Sequence, residues 1–99
     1  MSAVIRYRTK PESADENQRL IENVFAELAT ATPAGLRYSS FRLADGVTFV
    51  HVVDGEGLPE LAAFQEFQRE LRARLAESLT REEATLIGSY AGTTVTTHD

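Results

Sequence analysis

Apolar positions along this chain change period several times, and each change marks an element. Val4-Ile5-Arg6-Tyr7-Arg8-Thr9 mixes β-branched and aromatic side chains with alternating arginines, which is a strand pattern. Lys10-Pro11 ends it. Ser13-Ala14-Asp15-Glu16 has the spacing of a capping box, so a helix is predicted to begin there. Leu20, Ile21, Val24, Phe25 and Leu28 then recur at three- and four-residue steps and form one stripe, with polar residues opposite. Thr30, Thr32 and Pro33-Ala34-Gly35 stop that helix.

A strand is predicted from Leu36 to Leu43, and Ala44-Asp45-Gly46 reads as a hairpin into Val47-Thr48-Phe49-Val50-His51-Val52-Val53. Apolar residues fill both alternating sets of that third strand, which predicts a central place in a sheet covered on two faces. After the loop Asp54-Gly55-Glu56-Gly57, Leu58-Pro59-Glu60 opens a second helix with proline in the first turn. Leu61, Phe64, Phe67, Leu71 and Leu75 make its apolar stripe. Glu70 and Arg74, one turn apart with the acid first, read as an exposed pair on its solvated face. A fourth strand is predicted around Leu86, Ile87 and Tyr90, between Ala84 and Ala91. The tail, 92–99, alternates threonines around Val95 and is either a short edge strand or a frayed end.

The order strand, helix, strand, hairpin, strand, helix, strand defines an α+β domain of the split β-α-β, ferredoxin-like kind: a four-stranded antiparallel sheet with both helices on one face. Short links leave no room for a boundary, so residues 1–99 are read as one domain. The other sheet face would then be bare. An apolar patch there exceeds what a soluble monomer usually tolerates, which predicts a homodimer joined through that face.

Composition narrows the chemistry. The 99 residues are 42% hydrophobic and 25% charged, an ordinary globular balance. There is no cysteine, which excludes a disulfide framework, a thiolate metal site and a cysteine nucleophile. A net charge of -5 argues against nucleic acid and anionic membranes as partners. Residues 1–10 lack the apolar core of a signal peptide and no apolar run approaches a membrane span, so a cytoplasmic location is expected. The two histidines, His51 and His98, have no carboxylate pair at ligand spacing, so no metal is expected. Neither a nucleophile elbow, a phosphate-cradling glycine loop nor a dinucleotide fingerprint is present.

The segments Val4 to Pro11, Glu16-Asn17 with Leu20-Ile21 and Val24-Phe25, Phe41 to His51, and Phe64-Gln65-Glu66-Phe67-Gln68 together resemble the dimeric α/β-barrel proteins, which include antibiotic-biosynthesis monooxygenases. The resemblance spans nearly the whole chain and identifies a fold better than a reaction. It implies a small-ligand pocket between each subunit's helices and its own sheet, used in some members to oxygenate aromatic substrates with neither metal nor flavin. Other members degrade haem. The Asn, Trp and His set of those enzymes has no match here, since tryptophan is absent and the second helix holds no histidine.

Four residues are candidates for such a site. His51 alternates with Val47, Phe49 and Val53, so its ring is at least partly enclosed; it serves either as a proton acceptor near neutral pH or as a hydrogen-bonded structural histidine. Asn17 shares the buried stripe of the first helix and either points into a pocket or completes local capping. Tyr38 and Arg42 fall in line with Ser40 at period two, and this row either binds a phenolate or carboxylate or belongs to a subunit interface. Tyr7 and Tyr90 are read as packing residues whose hydroxyls reach water or backbone. Two functions follow: a cofactor-free monooxygenase acting on a small aromatic or polyketide-like substrate, with His51 as base, or a non-catalytic homodimer that binds a small ligand or serves as a structural module.

Overall fold

A computed structural model describes residues 2–92. Its strands are β1 (Ser2–Arg8), β2 (Arg37–Arg42), β3 (Thr48–Asp54) and β4 (Thr80–Ala84). They form one sheet in the order β2-β3-β1-β4, antiparallel at every junction. The helix α1 (Ala14–Ala31) connects β1 to β2, leaving a gap that β3 fills, while α2 (Ala62–Arg69) and α3 (Leu71–Arg74) connect β3 to β4. This is the ferredoxin-like α+β arrangement, with β3 and β1 central.

Alternation divides the sheet. Tyr7, Phe49 and the partly buried Ile5, Tyr38 and Val53 pack with Leu20, Ile21 and Val24 of α1 and with Leu58, Leu61 and Phe67 around α2. Burying a large aliphatic or aromatic side chain stabilises by about 1.5–3 kcal/mol, so this layer dominates the fold. The opposite face carries Val4, Val50 and Val52 with Phe41, which is 54% exposed. The helices therefore cover one face.

The β2–β3 hairpin is fixed by Asp45, whose carboxylate accepts from the backbone N–H groups of Val47 (3.0 Å) and Thr48 (2.9 Å) and from the Thr48 hydroxyl. These bonds, the Thr48 hydroxyl foremost, hold its carboxyl down to about 2. Gly46 supplies the left-handed step of the turn at φ 79°. The resulting register sets Ser40 opposite His51.

Three local expectations are corrected. No capping box forms: a 3-10 turn at Pro11–Ser13 leads into α1, and the Ser13 side chain makes no capping hydrogen bond. The second helix breaks at Glu70, where φ is -127°. Arg74 is buried, not solvated in a pair with Glu70. The fourth strand is Thr80–Ala84, earlier than the apolar run at 84–91, because the link from α3 returns early: Leu75 bridges Thr9 and the Ala76 N–H donates to the Arg8 carbonyl. Leu86, Ile87 and Tyr90 are exposed, Ile87 at 98%. The expected edge strand within 92–99 falls almost entirely outside the described residues; Gly92 itself is in no strand.

Candidate functional site

His51 lies at the middle of the helix-facing side of β3, paired across the sheet with Ser40 of β2 and Ile5 of β1. It is 4% exposed. Burial costs a charged imidazole its hydration and pushes the pKa down to about 4, so the ring is neutral at pH 7. A neutral imidazole carries one N–H, and its neighbours decide which nitrogen holds it.

The decision starts at Arg74. Its Nε donates to Asn17 Oδ1 (2.9 Å) and its Nη2 to the Phe67 carbonyl (2.6 Å). A guanidinium only donates, so the Asn17 oxygen faces Arg74 and the amide nitrogen faces away. That nitrogen donates to the Tyr7 hydroxyl at 2.9 Å. Tyr7 is buried, and its own proton goes to His51 Nε2 at 2.7 Å. Nε2 therefore accepts, and the imidazole proton sits on Nδ1, which faces the hydroxyls of Tyr38 and Ser40, both at 2.7 Å. One donor direction runs from α3 through α1 and β1 to β3 and ends on β2. Among the described residues every buried side-chain polar atom has a partner.

The same rings stack. Phe25, Tyr38, His51, Tyr7 and Phe49 form a row with successive centroids 5.0, 5.7, 5.3 and 5.7 Å apart and neighbouring planes within 16° of parallel. Phe67 of α2 covers His51 at a tilt of 58°. Burial raises both phenols above their usual value, so both stay protonated, Tyr7 donating to Nε2 and Tyr38 accepting at Nδ1.

A cavity of about 360 Å³ opens between α2 and the sheet beside this row. Tyr7, Tyr38 and His51 form its polar floor; Ile5, Val53, Leu58, Phe64, Phe67 and Leu71 supply apolar wall, and Gln68 and Arg81 also line it. A few convergent polar groups in an apolar cleft of this size are the features of a small-molecule site. Among the described residues no group of three or more His, Asp or Glu side chains lies close enough to hold a metal ion.

Of the four residues singled out in the sequence, Asn17, Tyr38 and His51 come together in one network. Asn17 is fully buried and bonds across the core rather than capping its helix. Arg42 stands apart from the cavity: its guanidinium donates to Gln18 Oε1 (2.7 Å), Asp15 Oδ1 (3.1 Å) and the Gly46 carbonyl (2.9 Å), latching the hairpin to α1. Tyr7 and Arg74 are additional members. The Tyr7 hydroxyl bonds the side chains of Asn17 and His51 in the core; its period-two alignment with Ala3 and Ile5 was the available signal. Arg74 lies seven residues after Phe67, at the edge of the apolar stripe, but its charge and its i+4 spacing from Glu70 pointed to an exposed pair.

The fold is shared with solved antibiotic biosynthesis monooxygenase structures. A crystal structure of an antibiotic biosynthesis monooxygenase superposes with a TM-score of 0.69 at 16% identity, covering 88% of this chain and 98% of that one. Rv0793 from Mycobacterium tuberculosis gives 0.66 at 13% identity over 90% and 97% of the two chains. A variant of SnoaB, a cofactor-independent oxygenase from Streptomyces nogalater, gives 0.58 at 19% identity over 88% and 96%. Identities this low establish a shared fold. No protein-family model and no curated protein matches the sequence.

Proposed function

We propose that the chain is a homodimer whose subunits each bind a small aromatic molecule in the cavity between α2 and the sheet, and that His51 accepts a proton there during oxygenation with neither metal nor flavin. The observation that carries this reading is a neutral, fully hydrogen-bonded imidazole on the floor of a cavity walled by apolar and aromatic side chains. The SnoaB fold likeness supports the reaction class, and the exposed Phe41, Leu86, Ile87 and Tyr90 support a second copy as partner.

The chemistry needs one proton moved and returned. A substrate hydroxyl that meets Tyr7 gives its proton to the phenol oxygen as Tyr7 passes its own to Nε2. The imidazolium is then solvated by Ser40 and Tyr38 at Nδ1. With a substrate hydroxyl near pKa 10 and His51 near 4, this transfer is uphill by about 8 kcal/mol before the ion pair recovers part of it. A turnover of about 10 per second corresponds to a barrier of about 16 kcal/mol, so the step is affordable. For an anthrone, the resulting anion gives one electron to O2, radical and superoxide combine to a peroxide, His51 returns the proton, and water leaves. The ring methylene becomes a carbonyl; one oxygen atom enters the product and the other departs as water.

Anthrone and hydroquinone turnover, followed by O2 consumption with no added cofactor, tests the proposal. The wild type is expected to consume oxygen, and His51→Ala to lose at least about 100-fold in kcat/KM. Equal turnover by His51→Ala would remove the assigned role. Ligand binding without oxygen uptake would leave the non-catalytic binding protein as the correct reading.

A further inference from the structure

The sheet register places a second functional group at a fixed span from His51. Across the strands, Ser40, His51, Ile5 and Arg81 form one row on the helix-facing side, since Ser40 pairs with His51, His51 with Ile5, and Ile5 with Arg81. Adjacent strands are about 4.8 Å apart, so Arg81 stands about 10 Å from His51 with only Ile5 between them. Arg81 belongs to the cavity lining and is exposed there. With His51 neutral, it is the only formal charge among the described residues of that lining.

Arg81 has no carboxylate partner among the described residues; Arg6, Arg37, Arg72 and Arg74 share that lack, but of these five only Arg81 lines the cavity. Glu83, next on the same face of β4, is not part of the lining. A chain of net charge -5 thus presents its cavity ligand with a lone cation. A guanidinium recognises a carboxylate through paired hydrogen bonds, and does so best beside low-dielectric walls.

We infer that the cavity selects hydroxyaryl carboxylates, with the carboxylate on Arg81, the ring lying along Ile5 beneath Phe64 and Phe67, and the hydroxyl at Tyr7 and His51. This deepens the proposed function and rests on the same cavity being the ligand site. Arg81 is a specificity determinant here, acting at the end of the molecule remote from proton transfer.

Calorimetric titration with para-hydroxycinnamate and its neutral amide, which share shape and hydroxyl, provides the test. Wild type is expected to bind the carboxylate about tenfold more tightly than the amide. Arg81→Gln should bring that ratio to about one without changing amide affinity, and Arg81→Lys should keep part of the preference, because a point charge replaces a fork. Equal binding of the two ligands by wild type, or a preference that survives Arg81→Gln, overturns the anchor while leaving the cavity reading in place. Binding of neither ligand overturns the cavity reading and the anchor with it.

Discussion

A histidine sealed in a protein interior is a stability device as much as a chemical one. The unfolded chain binds a proton at His51 near 6.5 and the folded chain only near 4. Between those values the unfolded state holds more protons, so stability is full above pH 6.5 and falls as pH drops toward 4. The difference amounts to about 3 kcal/mol. Asp45 is lowered in the same sense, from 3.8 to about 2, and loses its contribution only at lower pH, as its carboxylate protonates. Urea unfolding at pH 7 and at pH 4.5 should therefore show the loss in wild type and a flatter profile in His51→Gln; equal slopes would contradict the burial argument. Tyr7→Phe should cost about 1–3 kcal/mol, because it strands Asn17 Nδ2 and His51 Nε2 without a partner in the interior. A change below a few tenths of a kcal/mol would mean that the network contributes little.

Elements hold these residues where sequence spacing alone does not. Gly55 follows β3, lines the cavity and sits at φ 96°, and a Cβ there would collide with the Gly35 carbonyl oxygen. Gly46 has nearly the same sign and size of φ but open space around it. Gly55→Ala should thus destabilise by more than about 2 kcal/mol and Gly46→Ala by about 1 kcal/mol, as measured by denaturant midpoints. The contrast separates collision from backbone strain. Element types, their order and the central place of β3 were legible because apolar period changes cleanly at Lys10, Pro33 and Gly55. The break at Glu70 was not, because Leu71 and Leu75 continue the apolar stripe and nothing in the local sequence forces an end. What turns Arg74 inward is tertiary: acceptors from Asn17 and Phe67 wait in the core. The position of β4 failed similarly, since Leu86 and Ile87 have strand propensity while pairing with β1 selects the charged Thr80–Ala84. Of the site, His51, Asn17 and Tyr38 were visible from alternation and helical spacing. That Tyr7 joins them follows from which side of β1 faces α1.

At the scale of the whole molecule, the apolar surface left over is the argument for the proposed second copy. The sheet face opposite the helices holds Val4, Val50, Val52 and Phe41, and the segment after β4 leaves Leu86, Ile87 and Tyr90 largely in solvent. In the proposed dimer a partner would cover these side chains, those of the sheet sharing their face with Arg6, Ser39 and Glu82. Sedimentation equilibrium should give twice the 10.9 kDa chain mass at micromolar concentration, and Phe41→Glu should shift the protein toward the single-chain mass. A wild-type monomer would dispose of the dimer and leave the cavity to be judged on ligand binding alone.

The claim on which the site depends is that His51 is neutral, with its proton on Nδ1 because Arg74, Asn17 and Tyr7 dictate it. Long-range proton–nitrogen correlation spectra read both properties directly, with His51→Gln distinguishing His51 from His98. The expected result is a neutral ring at pH 7, an accepting Nε2, and a titration midpoint near 4. An imidazolium at pH 7, or a proton resident on Nε2, would contradict it.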